Sequence, residues 1–90
     1  MRVVSDTLQR ARKYYRCDAC KTFYRSGYSE ADLTPDEIRA LDAAEADDWM
    51  IKPGSMYRRL VVSSDGRAMT MRYRLDVEAV CIRHDLFGED

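Results

Sequence analysis

The alternation of apolar and polar residues is clearest between positions 56 and 75. Met56, Leu60, Val62, Met69, Met71, Tyr73 and Leu75 recur at every second position on two runs that flank Asp65-Gly66. A period of two marks a strand, and Asp-Gly suits the two-residue type I′ turn, whose central residues both take positive φ. The turn sets the register: Val62 faces Met69, Leu60 faces Met71, Arg58 faces Tyr73 and Met56 faces Leu75. The opposite face then carries Tyr57, Arg59, Val61, Ala68, Thr70, Arg72 and Arg74.

Elsewhere the pattern turns helical. Val4, Leu8, Ala11 and Tyr15 share one helical face behind Ser5-Asp6, which predicts a first helix ending between Lys13 and Tyr15. Residues 14–17 and 21–24 read as short strands, because Tyr and Phe favour extended chain, and 25–33 as a polar loop. Thr34-Pro35-Asp36-Glu37 is a capping box with proline at the first helical position, so a helix is expected over 35–48. Its apolar face is thin (Ile38, Leu41, Ala44, with Trp49 just beyond), as for a surface helix docked along one edge. Lys52-Pro53-Gly54-Ser55 is a turn, and Asp76 is placed to cap a last helix over 77–86.

Composition narrows the class. The chain has 90 residues, 46% hydrophobic and 34% charged, which describes a single globular domain over 1–90 and excludes a disordered or low-complexity chain. No run approaches the roughly 18 apolar residues of a membrane helix. The N-terminal residues lack the apolar core of a secretory signal, so a cytoplasmic location is expected. A domain this short buries only about 60–65% of its unfolded surface, so a staple would help it. The net charge of -1 hides a strong asymmetry. Residues 1–28 carry seven bases and two acids, whereas 29–48 carry eight acids and one base. Such a surface steers partners of either sign, unless the two stretches pair with each other.

The three cysteines and the single histidine fall in two pairs of equal spacing, Cys17/Cys20 and Cys81/His84. A C-x2-C pair folds into a knuckle that aims two sulfurs at one ion, and positions i and i+3 of a helix share a face. Three thiolates and an imidazole complete the tetrahedron of structural zinc, and a Zn2+ ion there would tie the start of the chain to its last helix. The same residues admit other readings: a redox dithiol, a structural disulfide in an oxidising compartment, or a buried helix cysteine beside a histidine at its helix's C-terminus.

The order of knuckle, hairpin and ligand-bearing helix resembles a treble-clef zinc finger of the small bacterial and phage type. The matching segments are Tyr15-Arg16-Cys17-Asp18-Ala19-Cys20, Ile51-Lys52-Pro53-Gly54-Ser55-Met56-Tyr57 and Cys81-Ile82-Arg83-His84. This chain departs from that pattern in Lys21, where glycine is usual, in the inserted segment 25–49, and in a ligand pair set well inside its helix. The resemblance implies an α+β fold: a treble-clef-like zinc module with a β-hairpin, a C-terminal helix carrying Cys81 and His84, and an inserted acidic surface helix.

Enzymatic activity is not expected. With His84 as a ligand no histidine remains for acid–base work, a closed four-ligand zinc leaves no position for water, and the zinc-protease and deaminase signatures are absent from the sequence. Binding is the expected role. Arg59 opposite Arg72, and Tyr57 opposite Arg74, place like charges and an aromatic ring on one hairpin face, where nucleic-acid phosphates would relieve the repulsion and a base would stack on the ring. The alternative is a host protein as partner. The acidic strip Asp36, Glu37, Asp42, Glu45, Asp47 and Asp48 suits a phage-encoded, anti-CRISPR-like inhibitor that occupies a nuclease's nucleic-acid channel.

Overall fold

A computed structural model describes residues 2–27 and 30–87. The fold is α+β. A three-stranded antiparallel sheet in the order β1-β4-β5 is built from β1 (Arg2–Arg10), β4 (Met56–Ser64) and β5 (Arg67–Arg74). A two-stranded sheet pairs β2 (Tyr15–Arg16) with β3 (Met50–Ile51). Three helices surround them: α1 (Asp18–Ser26), α2 (Pro35–Ala46) and α3 (Leu75–Arg83). No helix among the described residues is long and apolar enough to cross a membrane.

The hairpin follows its sequence. Leu60 faces Met71, Val62 faces Met69, and Arg59 faces Arg72. Asp65 and Gly66 take φ of 53° and 77°, as a type I′ turn requires. The two faces are not one apolar and one polar, however. Tyr73 on one face and Tyr57 on the other are both buried. Arg58 sits on the expected apolar face because it is paired: its Nε lies 2.9 Å from the nearly buried Glu78 of α3, and its Nη1 lies 2.9 Å from Asp6 of β1.

The first segment departs from expectation. Residues 2–10 are a strand, not the start of a helix. Eight of its nine residues are exposed, so burial of a helical face is not what places it. Its backbone instead saturates the edge of β4, from Arg2 opposite Ser63 to Arg10 opposite Met56, with an irregularity between Val3 and Ser5. The pairing continues past the strand, where the Ala11 N–H donates to Ser55 O and the Gly54 N–H to Ala11 O. Unpaired strand edges are costly when they lie over a core, and this one is satisfied from 46 or more residues away, beyond the reach of a local pattern.

Residues 21–24 are helical rather than extended. Cys17 caps α1 at its N-terminus, and Gly27, in the left-handed region, closes it. Ala19 and Cys20 are buried and Phe23 packs against the same core, an i, i+1, i+4 face that the helix alone provides. These caps and this face override the strand propensity of Thr22-Phe23-Tyr24. Helix α2 starts as expected, with the Glu37 N–H donating to Thr34 Oγ1 and the Thr34 N–H donating to Glu37 Oε1. It ends at Ala46, two residues early, because the chain turns back through Asp48 and Trp49, at φ of 56° and 61°. Left-handed φ is uncommon for aspartate and rare for tryptophan. Hydrogen bonds from the Trp49 N–H to Ala44 O and from the Met50 N–H to Asp47 O hold that turn.

Helix α3 begins at Leu75, two residues before its expected start, and ends at Arg83. Val77, Glu78, Val80 and Cys81 form its buried side. The buried core draws on all of these elements except β1 and β2, with Ala11 from the link between those two: Ala11, Cys17, Ala19 and Cys20, Leu41 and Ala44, Ile51, Tyr57, Tyr73, Val77 and Cys81.

Candidate functional site

Cys17 links the two halves of the molecule. As N-cap of α1 its Sγ accepts the Cys20 N–H at 3.2 Å and the Arg74 N–H of β5 at 3.3 Å. One residue on, Asp18 Oδ2 accepts the Arg72 N–H at 2.8 Å. Two side chains at the start of α1 therefore satisfy the outer edge of β5, the edge that β4 does not use. The Cys20 thiol, hydrogen-bonded to Cys17, together with the two backbone N–H donors, overcomes burial and lowers the Cys17 thiol to about 7. Cys20 is pushed strongly upward, first because its proton is the one shared with Cys17 and then by burial.

The second expected pair behaves differently. Cys81 is fully buried, its Sγ 3.4 Å from Ala19 O, and burial raises its thiol to about 12. His84 is the C-cap of α3, outside the helical turn that carries Cys81. Its Nε2 lies 3.3 and 3.2 Å from the two carboxylate oxygens of Glu37. Arg83 Nε reaches the same carboxylate at 3.4 Å. The backbone N–H of Thr34 and these neighbours hold Glu37 below the usual carboxylate range despite burial. The structure thus brings Cys17 and Cys20 together with Cys81 packed behind them, and directs His84 to α2. Among the described residues no group of three or more His, Cys, Asp or Glu converges as a metal site. In this arrangement the imidazole of His84 lies against the Glu37 carboxylate.

The hairpin face divides in two. Tyr57 is 3% exposed, so its ring is not available to stack on a base. Its hydroxyl donates to Gln9 Oε1 and its ring centroid lies 5.5 Å from that of Tyr15. Arg74 is also internal: its guanidinium donates to Asp47 at 2.7 Å, to Met50 O at 2.9 Å and to Asp76 at 3.0 Å. It was the Cys17 and Tyr15 neighbourhood, invisible to strand alternation, that covered this end of the face. Arg59 and Arg72 lie side by side as expected. Arg72 stacks 4.5 Å over the Tyr15 ring, and its Nε is buried without a hydrogen-bond acceptor among the described residues. Lys13 Nζ lies 5.5 Å from the same ring.

Two shallow grooves meet at β2. One is lined by Arg10, Arg12, Tyr15 and Tyr57, the other by Arg16, Lys21, Tyr24, Arg25 and Trp49, with Asp18 and Asp48, beside both Cys17 and Cys20. Among the described residues Arg12, Lys13, Arg16, Lys21, Arg25, Arg59 and Arg72 enter no ion pair. The acids of the same stretch are already engaged, Asp6 with Arg58 and Asp18 with a backbone amide. The acidic helix is partly neutralised from other sources: Asp36 pairs with Arg39, Glu37 with Arg83 and His84, and Asp47 with Arg74. Asp42, Glu45 and Asp48 are exposed. No family model, curated protein or solved structure matches the chain.

Proposed function

We propose that the protein binds nucleic acid through the basic surface around β2, and that single strands are its preferred form. The observation that carries this reading is the set of seven bases, Arg12, Lys13, Arg16, Lys21, Arg25, Arg59 and Arg72, left without ion pairs among the described residues, while Asp6 and Asp18 are engaged internally and Asp48 alone of the acids lining the two grooves is exposed. Unneutralised guanidinium and ammonium groups on a small domain repel one another, and a phosphate backbone relieves that repulsion by releasing its own counterions. The exposed rings of Tyr14 and Tyr24 (59% and 81%) border these bases in sequence and offer flat surfaces for unstacked bases. Arg59 and Arg72 keep the role expected of them. Tyr57 and Arg74 are replaced by residues of the first 25 positions.

Titration of labelled single-stranded and duplex oligonucleotides at increasing salt tests this. Binding is expected to fall steeply with salt, and Arg59→Glu with Arg72→Glu to abolish it, as is Lys21→Glu with Arg25→Glu. Binding that is insensitive to salt and to both double variants refutes the reading. The rival partner, a protein that docks on Asp42, Glu45 and Asp48, predicts the reverse: no nucleic-acid binding, and a partner lost when these become lysine. A zinc-stapled treble-clef form of the module rests on the sequence spacing. It requires His84 to leave Glu37, and one zinc per chain in metal analysis is its test.

A further inference from the structure

We infer that Cys17 and Cys20 form a dithiol–disulfide exchange site that opens on the groove between α1 and the Asp48-Trp49 turn. The geometry is that of an attacking and a resolving thiol. Cys17 is the N-cap, and its sulfur accepts two backbone N–H groups that favour a thiolate over a thiol. Cys20 lies on the first turn of the same helix with its sulfur against that of Cys17, and both residues are buried. Both border the groove, and all three thiols are reduced. Cys81, fully buried behind Ala19, is outside it.

The reaction is two-electron exchange with an external disulfide. The Cys17 thiolate attacks one sulfur of the substrate, a Cys17–substrate bond forms, and the other substrate sulfur leaves as a thiolate and is protonated by solvent. Cys20 then loses its proton to solvent and attacks the Cys17 sulfur, which expels the second substrate thiolate. The substrate disulfide is reduced to two thiols, and the dithiol is oxidised to one intramolecular disulfide. Arg16, Lys21 and Arg25 rim the groove against Asp48 and Asp18, the latter turned to the Arg72 N–H, and Tyr24 and Trp49 wall it, so the lining keeps a net positive charge that favours a substrate with carboxylates beside its disulfide.

Two disulfides of opposite charge, oxidised glutathione and cystamine, test the site on the reduced full-length chain, followed by mass spectrometry and peptide mapping. Oxidised glutathione is expected to produce the Cys17–Cys20 disulfide, several-fold faster than cystamine at low salt. Cys20→Ser is expected to trap glutathione on Cys17, and Cys81→Ser to change neither result. Cys17→Ser, which keeps an acceptor oxygen at the N-cap, is expected to lose both products. Three results each overturn the proposal: Cys17 staying reduced where the urea-unfolded chain is oxidised, glutathione accumulating on Cys81 instead, or purified protein holding one zinc per chain that must be removed before Cys17 reacts.

Discussion

The Sγ of Cys17 accepts the backbone N–H of Arg74, 57 residues further along the chain. A single thiol thereby caps a helix and closes the edge of a sheet. Replacing it tests how much of the fold this one atom holds. Cys17→Ala removes the N-cap and leaves the Arg74 N–H without an acceptor, for a combined loss of about 2–3 kcal/mol. Cys17→Ser keeps an acceptor and is expected to lose less than half of that. Urea unfolding of the reduced variants gives both values.

The same thiol sets a pH dependence. Its folded value is lowered from 9.0 to about 7, so the unfolded chain binds more protons between these limits and stability rises with pH across them. Cys20 and Cys81 are raised above 9.0, so the folded chain binds more protons above that point and stability falls again. The reduced protein is therefore expected to be most stable between about pH 8 and 9. Cys17→Ser flattens the rising limb and leaves only the part of the falling limb that burial of Cys20 and Cys81 sets. Urea midpoints from pH 6 to pH 10 display both limbs.

Arg58 holds β1 and α3 to the hairpin through Asp6 and Glu78. Arg58→Ala leaves the Glu78 carboxylate, only 8% exposed, without its cation. A loss of about 2–3 kcal/mol follows, reduced from the fully buried case because Arg58 itself is one-third exposed. Adding Glu78→Gln to that variant should recover part of the loss. A double-mutant cycle by thermal or urea unfolding measures the coupling.

Asp48 lies at φ 56° in an exposed turn, a conformation that costs an L-residue free energy and glycine almost none. Asp48→Gly is expected to stabilise by up to about 1 kcal/mol, the relief being offset in part by glycine's freedom in the unfolded chain. Trp49→Gly, at φ 61°, should instead destabilise, since the ring packs against the core. Thermal melts of the two variants are expected to move in opposite directions.

With His84 on Glu37, a metal chelator is expected to leave the melting temperature unchanged, whereas Glu37→Ala lowers it by removing the capping-box carboxylate and the partner of Arg83 and His84 together. A chelator that unfolds the protein, with zinc released in equal amount, would establish the four-ligand site.

The hairpin register and the start of α2 were written in local sequence. Asp65-Gly66 dictates the turn, alternation aligns the strands, and Thr34-Pro35-Asp36-Glu37 satisfies its own helix end, because in each case the interacting groups are close along the chain. The excess of bases before residue 28 was equally visible. Only the tertiary structure decided which of those charges are consumed: Arg74 met Asp47 and Asp76, whereas Arg59 and Arg72 met neither. It also made residues 2–10 a strand, because the edge of β4 offered hydrogen bonds that no local periodicity encodes. The spacing of Cys17 and Cys20 determined that their sulfurs meet. The placement of His84 depended on a buried carboxylate from another helix, and an attraction between groups 47 residues apart leaves no mark in the spacing of either.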